Sequence, residues 1–320
     1  MPSNITLQTQ LEWLERMWTI RCFEDHVVDS FRKGLFTGST HPGIAQEATA
    51  VGAGAALDAN DPIFATYRGH AHAIARGLDL KALMAEILCK ETGCCGGAGG
   101  SMHLCDVTKN FWGTNAIVAA HIPIAGGMAL SNKLRKNDRV TGVYFGDGAS
   151  CEGVFYETLN MAVLWNLALV FVCENNGFAI SVPVSKAVAV ADISQRAAGF
   201  GLPGITVDGN DPIAVFGAMQ GAVARARSRQ GPTLLECKTT RWERHSAISG
   251  GKYKSPEEAK KWMEVDPIPR FERALAQNGV AVEAIERCRA AAKTAADAAL
   301  EFAKRSQDPS PQSLGQHLYA

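Results

Sequence analysis

Two oxygen-bearing side chains, Asp147 and Asn176, follow two segments that read as buried β-strands. A carboxylate and an amide oxygen are too few to enclose calcium, but they suit magnesium, which keeps coordination for water and phosphate oxygens. Gly146 and Gly148 remove side chains beside Asp147, and Gly148 leads towards a predicted helix, whose N-terminus favours an anion. These residues predict a site for a magnesium-bound diphosphate. The alternative is an Asp-Gly turn followed by an unrelated pair of asparagines.

The surrounding elements form a unit of strand, helix and strand. Residues 140–145 are a short apolar run rich in β-branched and aromatic side chains, which predicts a buried strand, and residues 167–173 predict a second one. Between them, residues 152–165 carry apolar side chains near helical spacing. A crossover this short makes the strands parallel, and adjacent or nearly so. Asp147 and Asn176 would then lie past the carboxyl ends of two strands, where open α/β sheets bind ligands.

The spacing of these motifs is similar to the thiamine diphosphate signature. Gly-Asp-Gly at 146–148 is followed by the 26 residues of 149–174 and then by Asn175-Asn176. The neighbouring motifs match in the same order over essentially the whole chain. The sequence resembles the alpha subunit of the decarboxylating component of 2-oxo acid dehydrogenase complexes, a family that includes pyruvate, acetoin and branched-chain oxo acid dehydrogenases.

This resemblance implies two cofactors, thiamine diphosphate and Mg²⁺, held largely by the central unit. Asp147, Asn176 and the backbone carbonyl of Phe178 would bind the magnesium ion. Gly148 and Ala149 would line the diphosphate.

Two earlier segments match cofactor-binding motifs of the same family. Tyr67 and Arg68 correspond to a Tyr-Arg pair that reaches the cofactor's phosphates, and the planar fork of an arginine can pair two phosphate oxygens at once. Residues 115–118 resemble an Asn-Gly-Ile-Val motif whose backbone contacts the cofactor, which assigns Ala116 and Val118 to the site. Ala116 replaces the usual glycine, so the local backbone is expected to differ slightly.

Two histidines, His41 and His245, correspond to active-site histidines of the family. Histidine titrates near neutrality, so it can hold or pass protons during catalysis. His245 lies in the segment 241–246, which matches an Arg-x-x-x-His-Ser loop, and the resemblance also gives it a cofactor contact. His70 and His103 lie beside motifs and are secondary candidates. A structural role is expected for the histidines outside the matched positions: His26, His70, His72, His103, His121 and His317.

The loop after His245 departs from the family pattern. Residues 246–251 lack the acidic residue that many relatives carry, and Lys254, after Tyr253, stands where arginine is usual. The contacts that order this loop are therefore expected to differ. Ser246 stands where mitochondrial relatives are phosphorylated, but nothing in the sequence supports such regulation here.

The amino-acid composition limits the classes of function that the protein can have. The 320 residues are 47% apolar and 20% charged, with a formal net charge of zero, which is ordinary for a globular protein. This balance gives no electrostatic case for binding nucleic acid or an anionic membrane. The nine cysteines show no C-x-x-C spacing, which indicates reduced intracellular thiols. No apolar run spans a membrane and no targeting pattern opens the chain, so a cytoplasmic location is predicted.

The alternation of strands and helices predicts a single doubly wound α/β domain over residues 1–320, with a mostly parallel sheet flanked by helices. A helical arm at 1–40, helices at the C-terminal end and an extended tail at 306–320 complete it. Residues 71–91 read as one helix. Residues 93–100, with five glycines among eight residues, are interpreted as a loop that brings backbone close to a ligand, in preference to a flexible linker.

The resemblance also implies partners. The alpha chain would hold the magnesium and the diphosphate, while a beta subunit supplies the pocket for the aminopyrimidine, giving an α2β2 heterotetramer that is inactive as the alpha chain alone. The implied reaction is decarboxylation of a 2-oxo acid, with pyruvate favoured, or cleavage of acetoin. The acyl group would pass to the lipoyl group of an acyltransferase partner.

Three alternatives stay open at this point. A branched-chain 2-oxo acid is an alternative substrate, and the altered loop after His245 is compatible with a non-catalytic or repurposed subunit. An NAD-binding oxidoreductase is the most distant alternative, because Gly146-x-Gly148 resembles a dinucleotide turn. Against it, Gly153 comes too late for G-x-G-x-x-G, and Asn176 stands where an acidic residue is expected.

Overall fold

A six-stranded parallel sheet forms the centre of the protein. The computed structural model describes residues 5–249 and 255–315. The sheet contains β1 (Ile63–Thr66), β2 (Phe111–Asn115), β3 (Thr141–Gly146), β4 (Leu169–Asn175), β7 (Gly204–Asp208) and β8 (Thr233–Lys238). Their order is β2-β1-β3-β4-β8-β7, and a separate antiparallel pair joins β5 (Phe178–Ala179) to β6 (Val182–Pro183). The mostly parallel α/β fold predicted from the sequence is confirmed.

Helices cover both faces of this sheet. They are α1 (Leu7–Arg32), α2 (Glu47–Ala55), α3 (His70–Arg76), α4 (Leu80–Ile87), α5 (His121–Leu134), α6 (Gly153–Leu164), α7 (Val184–Ala187), α8 (Pro212–Arg227), α9 (Pro256–Glu264), α10 (Pro267–Gln277) and α11 (Val282–Arg305). Helices α5 and α6 pack together beside β3, α8 packs against α2, and α1 and α4 both contact α11. In the described part of the chain, no helix combines the length and apolar character that crossing a membrane requires.

The central strands are buried on both faces. Phe145 and Phe171 pack with Phe155 of α6, whereas Tyr144 and Val172 belong to the apolar cluster on the opposite face. Successive side chains of a strand point to opposite faces, so a strand covered on both sides must be apolar throughout. This is why the short apolar runs around 140–145 and 167–173 mark the two strands that carry the candidate ligands.

The predicted helix at 71–91 is wrong as a single element, because two helices occupy this stretch. Helix α3 ends at Gly77, which adopts a left-handed conformation with φ of 85°, a common way for glycine to end a helix. Helix α4 then starts after Asp79, whose side chain accepts a hydrogen bond from the backbone N–H of Ala82 at 2.9 Å. Such N-cap bonds satisfy amides that a helix leaves unpaired.

The glycine-rich segment 93–100 is a loop, but its amides face the chain itself. Four backbone N–H groups donate to the carboxylate of Glu86 at 2.7–3.0 Å, those of Cys95, Gly97, Gly99 and Gly100. Glu86 is completely buried, so these bonds provide the compensation that a buried charge requires. The sequence predicted that this backbone approaches a ligand, but its amides bind the buried carboxylate of Glu86. These four amides are not free for a bound phosphate.

The C-terminal tail, expected to be extended, contains a 3₁₀ turn at Pro311–Gly315. Residues 316–320, with His317, lie outside the described part of the chain.

The N-terminal helix α1 is a core element, since Leu14, Met17 and Phe23 are completely buried on the side that packs against other helices.

Gly52 allows the close contact between α2 and α8 and provides a stability test. A Cβ at Gly52 would lie 2.5 Å from the carbonyl oxygen of Pro212 and 3.0 Å from Cβ of Val215. We expect Gly52→Ala to destabilise the protein by about 2 kcal/mol, since overpacking forces the backbone to shift. The matched change Gly221→Ala in α8 meets no atom within 4 Å.

Gly221→Ala should stabilise the protein by about 0.5–1 kcal/mol, because alanine has the higher helix propensity. Urea unfolding of both variants gives the two free energies. Equal effects of the two substitutions would contradict the close packing of α2 against α8.

Candidate functional site

A cavity of about 230 Å³ lies at the carboxyl ends of β1, β3 and β4. The predicted site residues that line it are Tyr67, Arg68, Val118, Asp147, Gly148, Ala149, Asn176, Phe178 and His245. Ala116 lies between two lining residues, Asn115 and Ile117. His41 does not line the cavity, but its ring packs against that of Tyr67. The fold therefore brings segments far apart in sequence to one place.

Asp147 begins a short 3₁₀ turn, Asp147–Cys151, directly after β3. Because α6 begins only at Gly153, Gly148 does not lead straight into a helix N-terminus as the sequence suggested. Its lack of a side chain has a different use. A Cβ at Gly148 would lie 2.9 Å from Cβ of Ala179 in β5, so glycine lets β5 cross close to the turn.

The carboxylate of Asp147 is buried without full compensation. The residue is 2% exposed, and among the described residues its Oδ2 has no hydrogen-bond partner. Burial raises the pKa of Asp147 to about 6, although Arg241 and Arg68 act in the opposite direction. A buried polar atom without a partner is costly and usually has an explanation in function. A cation in the cavity would satisfy this oxygen.

Asn176 and its neighbour Asn175 have separate partners. The Asn176 side chain donates through Nδ2 to Oε1 of Gln46 at 3.1 Å, and its Oδ1 accepts from the backbone N–H of Phe178 at 3.3 Å. Asn175 instead donates to Oε1 of the fully buried Glu236 at 2.7 Å. Glu236 therefore anchors the turn, while Asn176 and Gln46 face the cavity.

Two buried guanidinium groups complete the wall. Arg68 donates to the carbonyl oxygen of His245 at 3.0 Å, and Arg241 donates to the carbonyl oxygens of Phe178 at 3.4 Å and Ile180 at 2.8 Å. Sequence reasoning gave Arg241 no role. The available signals were its place as the arginine of the matched Arg-x-x-x-His-Ser segment and its position three residues after β8, at the same sheet edge as Asp147. Two cations near one carboxylate give this wall both signs of charge, a distribution that can attract a polyanion together with a cation.

The two predicted histidines lie side by side. The ring centroids of His41 and His245 are 5.0 Å apart, and the Tyr67 ring lies 4.3 Å from the first and 5.8 Å from the second. Burial, followed by the charge of Arg68, lowers the pKa of His41 to about 3 and that of His245 to about 4. Both rings are therefore neutral near pH 7, and each has one ring nitrogen that carries a hydrogen and one that can accept a hydrogen bond.

The low pKa of His41 predicts a pH-dependent stability. Its folded pKa of about 3 lies below the reference value of 6.5, so between these values the unfolded chain binds more protons and stability falls as pH falls. We expect His41→Gln to remove about 2 kcal/mol of the stability lost between about pH 7.5 and about pH 5. Urea unfolding of both proteins at the two pH values measures this. An identical loss in the variant would contradict the buried, neutral histidine.

The loop after His245 is closed by serine contacts. The Ser249 backbone N–H donates to the carbonyl oxygen of Ser246 at 3.1 Å, and the Ser246 N–H donates to the Ser249 hydroxyl at 3.2 Å. Within residues 246–249 these contacts use the main chain and the Ser249 hydroxyl, and residues 246–251 contain no carboxylate. Tyr253 and Lys254 lie outside the described residues.

Other residues near the cavity were not assigned to it from the sequence, which expected a structural role for His121 and gave His103 as a secondary candidate. His121 lines it, lies 2.7 Å through Nε2 from the carbonyl oxygen of Tyr144, and has a pKa lowered by burial to about 4. Glu174 also lines it, with Oε1 at 3.3 Å from Nε2 of the buried His72. His103 is exposed. The signal for His121 and Glu174 was weak, because each sits in an apolar segment.

Comparison with known proteins is consistent with this geometry. The alpha subunit of acetoin:2,6-dichlorophenolindophenol oxidoreductase from Bacillus subtilis is 42% identical over 273 residues, which cover 85% of this chain and 82% of that protein. The pyruvate dehydrogenase E1 component subunit alpha of Porphyra purpurea is 38% identical over 99% of this chain and 94% of that protein. The family model described as "Dehydrogenase E1 component" matches residues 15–312. The chain belongs to the dehydrogenase E1 component family.

Proposed function

We propose that this chain is the alpha subunit of a thiamine diphosphate-dependent dehydrogenase, in which it binds Mg²⁺ and the cofactor's diphosphate. The observation that carries the proposal is the buried Oδ2 of Asp147, which has no partner among the described residues and belongs to a cavity that Arg68 and Arg241 also line. A magnesium ion would satisfy the carboxylate, and the arginines would pair with phosphate oxygens.

The donor set fits this pair of groups. Asp147 after β3, and Asn176 with the carbonyl oxygen of Phe178 after β4, are hard oxygen donors on two neighbouring segments of the cavity wall, and magnesium favours such ligands. The Phe178 carbonyl also accepts from Arg241, but a carbonyl oxygen has two lone pairs. The residues proposed to contact the cofactor are Tyr67, Arg68, Ala116, Val118, Asp147, Gly148, Ala149, Asn176 and His245.

The histidines supply proton handling beside the cofactor. When bound, thiamine diphosphate acts as the nucleophile and electron sink for a carbonyl substrate. His41 and His245 are neutral near pH 7, with pKa values lowered to about 3 and about 4 by burial. Among the described residues, Nδ1 of each ring is buried without a hydrogen-bond partner. Each ring can therefore hold or move a proton without breaking a protein contact at that atom.

The names of the relatives indicate which substrates to consider for this protein. Proteins named as alpha subunits of pyruvate dehydrogenase and of acetoin:2,6-dichlorophenolindophenol oxidoreductase both align over most of this chain. We favour an acetyl-forming reaction, with pyruvate first and acetoin second, followed by transfer of the acyl group to a lipoyl-bearing acyltransferase. A branched-chain 2-oxo acid is tested as a third substrate.

Exposed apolar side chains at the mouth of the cavity form a surface that a partner protein would cover. Ile117, Val118, Ile180 and Val182 are 68%, 43%, 59% and 47% exposed, and the first three line the cavity. Apolar side chains clustered at the rim of a site mark a surface that another protein covers. The cavity of about 230 Å³ also falls below the size of most complete small-molecule sites, about 300–1,000 Å³. We assign this face to a beta subunit within an α2β2 assembly.

The test compares the chain alone with the chain co-expressed with its beta subunit. Turnover of pyruvate, acetoin and a branched-chain 2-oxo acid is followed with a dye acceptor, and thiamine diphosphate binding is followed by calorimetry with and without Mg²⁺. We expect magnesium-dependent binding and turnover only in the complex. Turnover by the isolated chain would contradict the shared site, and no binding in the complex would contradict the cofactor assignment.

A further inference from the structure

A network of buried hydrogen bonds connects four side chains that do not line the cavity. His70 sits between a carboxylate and a hydroxyl: its Nδ1 is 3.0 Å from Oε2 of Glu24, and its Nε2 is 2.8 Å from Oγ of Ser101. The Ser101 hydroxyl lies 2.8 Å from Oγ1 of Thr40. All four residues are at least nine-tenths buried. Buried polar groups connected in this way are costly to disturb and hold one arrangement.

One hydrogen bond of this network has a defined direction: the Ser101 hydroxyl donates to Oγ1 of Thr40. Nε2 of His70 also lies 3.2 Å from the carbonyl oxygen of Ser101. His70 therefore bridges the Glu24 carboxylate and Ser101, and Ser101 in turn holds Thr40.

The same network of hydrogen bonds holds the segment that carries His41, residues 40–43. Thr40 precedes His41 and is held by Ser101. On the other side, the backbone N–H of Gly43 donates to Oε1 of Glu24 at 2.9 Å, so one carboxylate binds both this segment and His70. Arg68 also donates to the carbonyl oxygen of Pro42 within the segment. The backbone on both sides of His41 is therefore fixed by buried side chains.

The loop that carries His245 depends on the same groups. The backbone N–H of Ala247 donates to the carbonyl oxygen of Thr40 at 2.9 Å. Arg68, which reaches Pro42, also donates to the carbonyl oxygen of His245 at 3.0 Å. A shift of the 40–43 segment would therefore be transmitted to both histidines.

We propose that Glu24, His70, Ser101 and Thr40 are positioning residues that set the separation of the His41 and His245 rings. This inference rests on the proposed function, because it assigns the two rings a role in the reaction. The order carboxylate, histidine, serine is also that of a hydrolase triad. Ser101, however, is 6% exposed and directs its hydroxyl to Thr40, so it is not placed to attack a substrate.

Thr40→Val tests the proposal with little change in shape, because it removes only the hydroxyl. Thr233→Val is the matched control: Thr233 is completely buried in β8, and its Oγ1 has no partner among the described residues. In the complex with the beta subunit, we expect Thr40→Val to lower kcat about 10- to 100-fold, as for other supporting residues. Substrate KM and the Kd of thiamine diphosphate should change less than about threefold, since uniform binding is retained. Thr233→Val should change none of these.

A second readout is independent of turnover. In ¹⁵N-histidine NMR spectra of the full chain, Thr40→Val should shift the imidazole signals of His41 and His70, and Thr233→Val should leave them in place. Ser101→Ala provides the same test if Thr40→Val does not fold. If the wild-type complex is active and neither Thr40→Val nor Ser101→Ala lowers kcat, the positioning role is wrong and the proposed function is unaffected. An inactive wild-type complex would count against the proposed function, and unchanged spectra would still refute the positioning role.

Discussion

Asp147→Asn is expected to abolish magnesium-dependent binding of thiamine diphosphate and to lower turnover by about 1,000-fold or more, equivalent to at least about 4 kcal/mol. The substitution keeps the size of the side chain but removes its charge. The Oδ2 atom, buried without a partner among the described residues, is the feature of the cavity best suited to a cation. The amide that replaces it carries no charge to offset that cation.

The same substitution should make the free chain more stable near neutral pH. The folded pKa of Asp147, about 6, lies above the reference value of 3.8 because of burial. Its contribution to stability is complete below pH 3.8 and is lost as pH rises through about 6. The charged group therefore opposes folding by about 2–3 kcal/mol at about pH 7.5. The asparagine variant should recover this amount, and its advantage should shrink as pH falls below about 6.

Calorimetry in the assembled complex and urea unfolding of the free chain test the two effects separately. Asp138→Asn is the control, because Asp138 is exposed in the turn before β3. That variant should bind cofactor like the wild type. Retention of magnesium-dependent affinity by Asp147→Asn would contradict the proposed role of Asp147 as a magnesium ligand, whatever its effect on stability.

Arg21→Met is expected to cause a large loss of stability, about 3–5 kcal/mol, because it leaves two buried carboxylates without their partner. Arg21 lies 2.6 Å from Glu47 and 3.1 Å from Asp266, and their side chains are 9%, 0% and 5% exposed. Burial alone would lower the pKa of Arg21, but the two carboxylates outweigh it and raise the pKa. The guanidinium thus joins α1, α2 and the start of α10.

Arg32→Met in the same helix is the matched control. Arg32 is 64% exposed, and its carboxylate neighbours are 3.8 and 3.9 Å away, so its loss should cost less than about 1 kcal/mol. Urea unfolding measures both changes. A similar small loss for Arg21→Met would mean that the carboxylates take up protons or water at little cost. Arg21 also lies 4.9 Å from the ring of Trp242, so the variant should loosen the segment before His245.

The site residues that lie in the central unit of strand, helix and strand were predictable from the sequence. The apolar runs that became β3 and β4 placed Asp147 and Asn176 at one sheet edge, because parallel neighbours end together. Arg241 and Gln46 were not predictable in this way. Each reaches the cavity from a segment whose place depends on packing between distant elements. Arg241 opens the matched Arg-x-x-x-His-Ser segment, but that local pattern does not show that its side chain lines the cavity.

Errors in the predicted elements have local physical causes. The break between α3 and α4 depends on Gly77 and Asp79, which an apolar periodicity does not register. Strand β2, with the sequence FWGTN, was missed because a glycine and polar residues obscure the alternation expected of an edge strand. The glycine-rich loop was recognised, but its partner was not, since Glu86 belongs to the preceding helix and reads there as an ordinary surface charge.

The carboxylate of Glu86 has a consequence for the motions of its loop. Four amides between Cys95 and Gly100 depend on one buried group, so none of them can open to solvent without weakening the hold on the others. In hydrogen exchange they should behave as one cooperative unit, with closely similar protection. Because Ser101 follows directly, each opening would also release the serine that holds Thr40. The rarest motions of this loop would then set how often the rings of His41 and His245 lose their alignment.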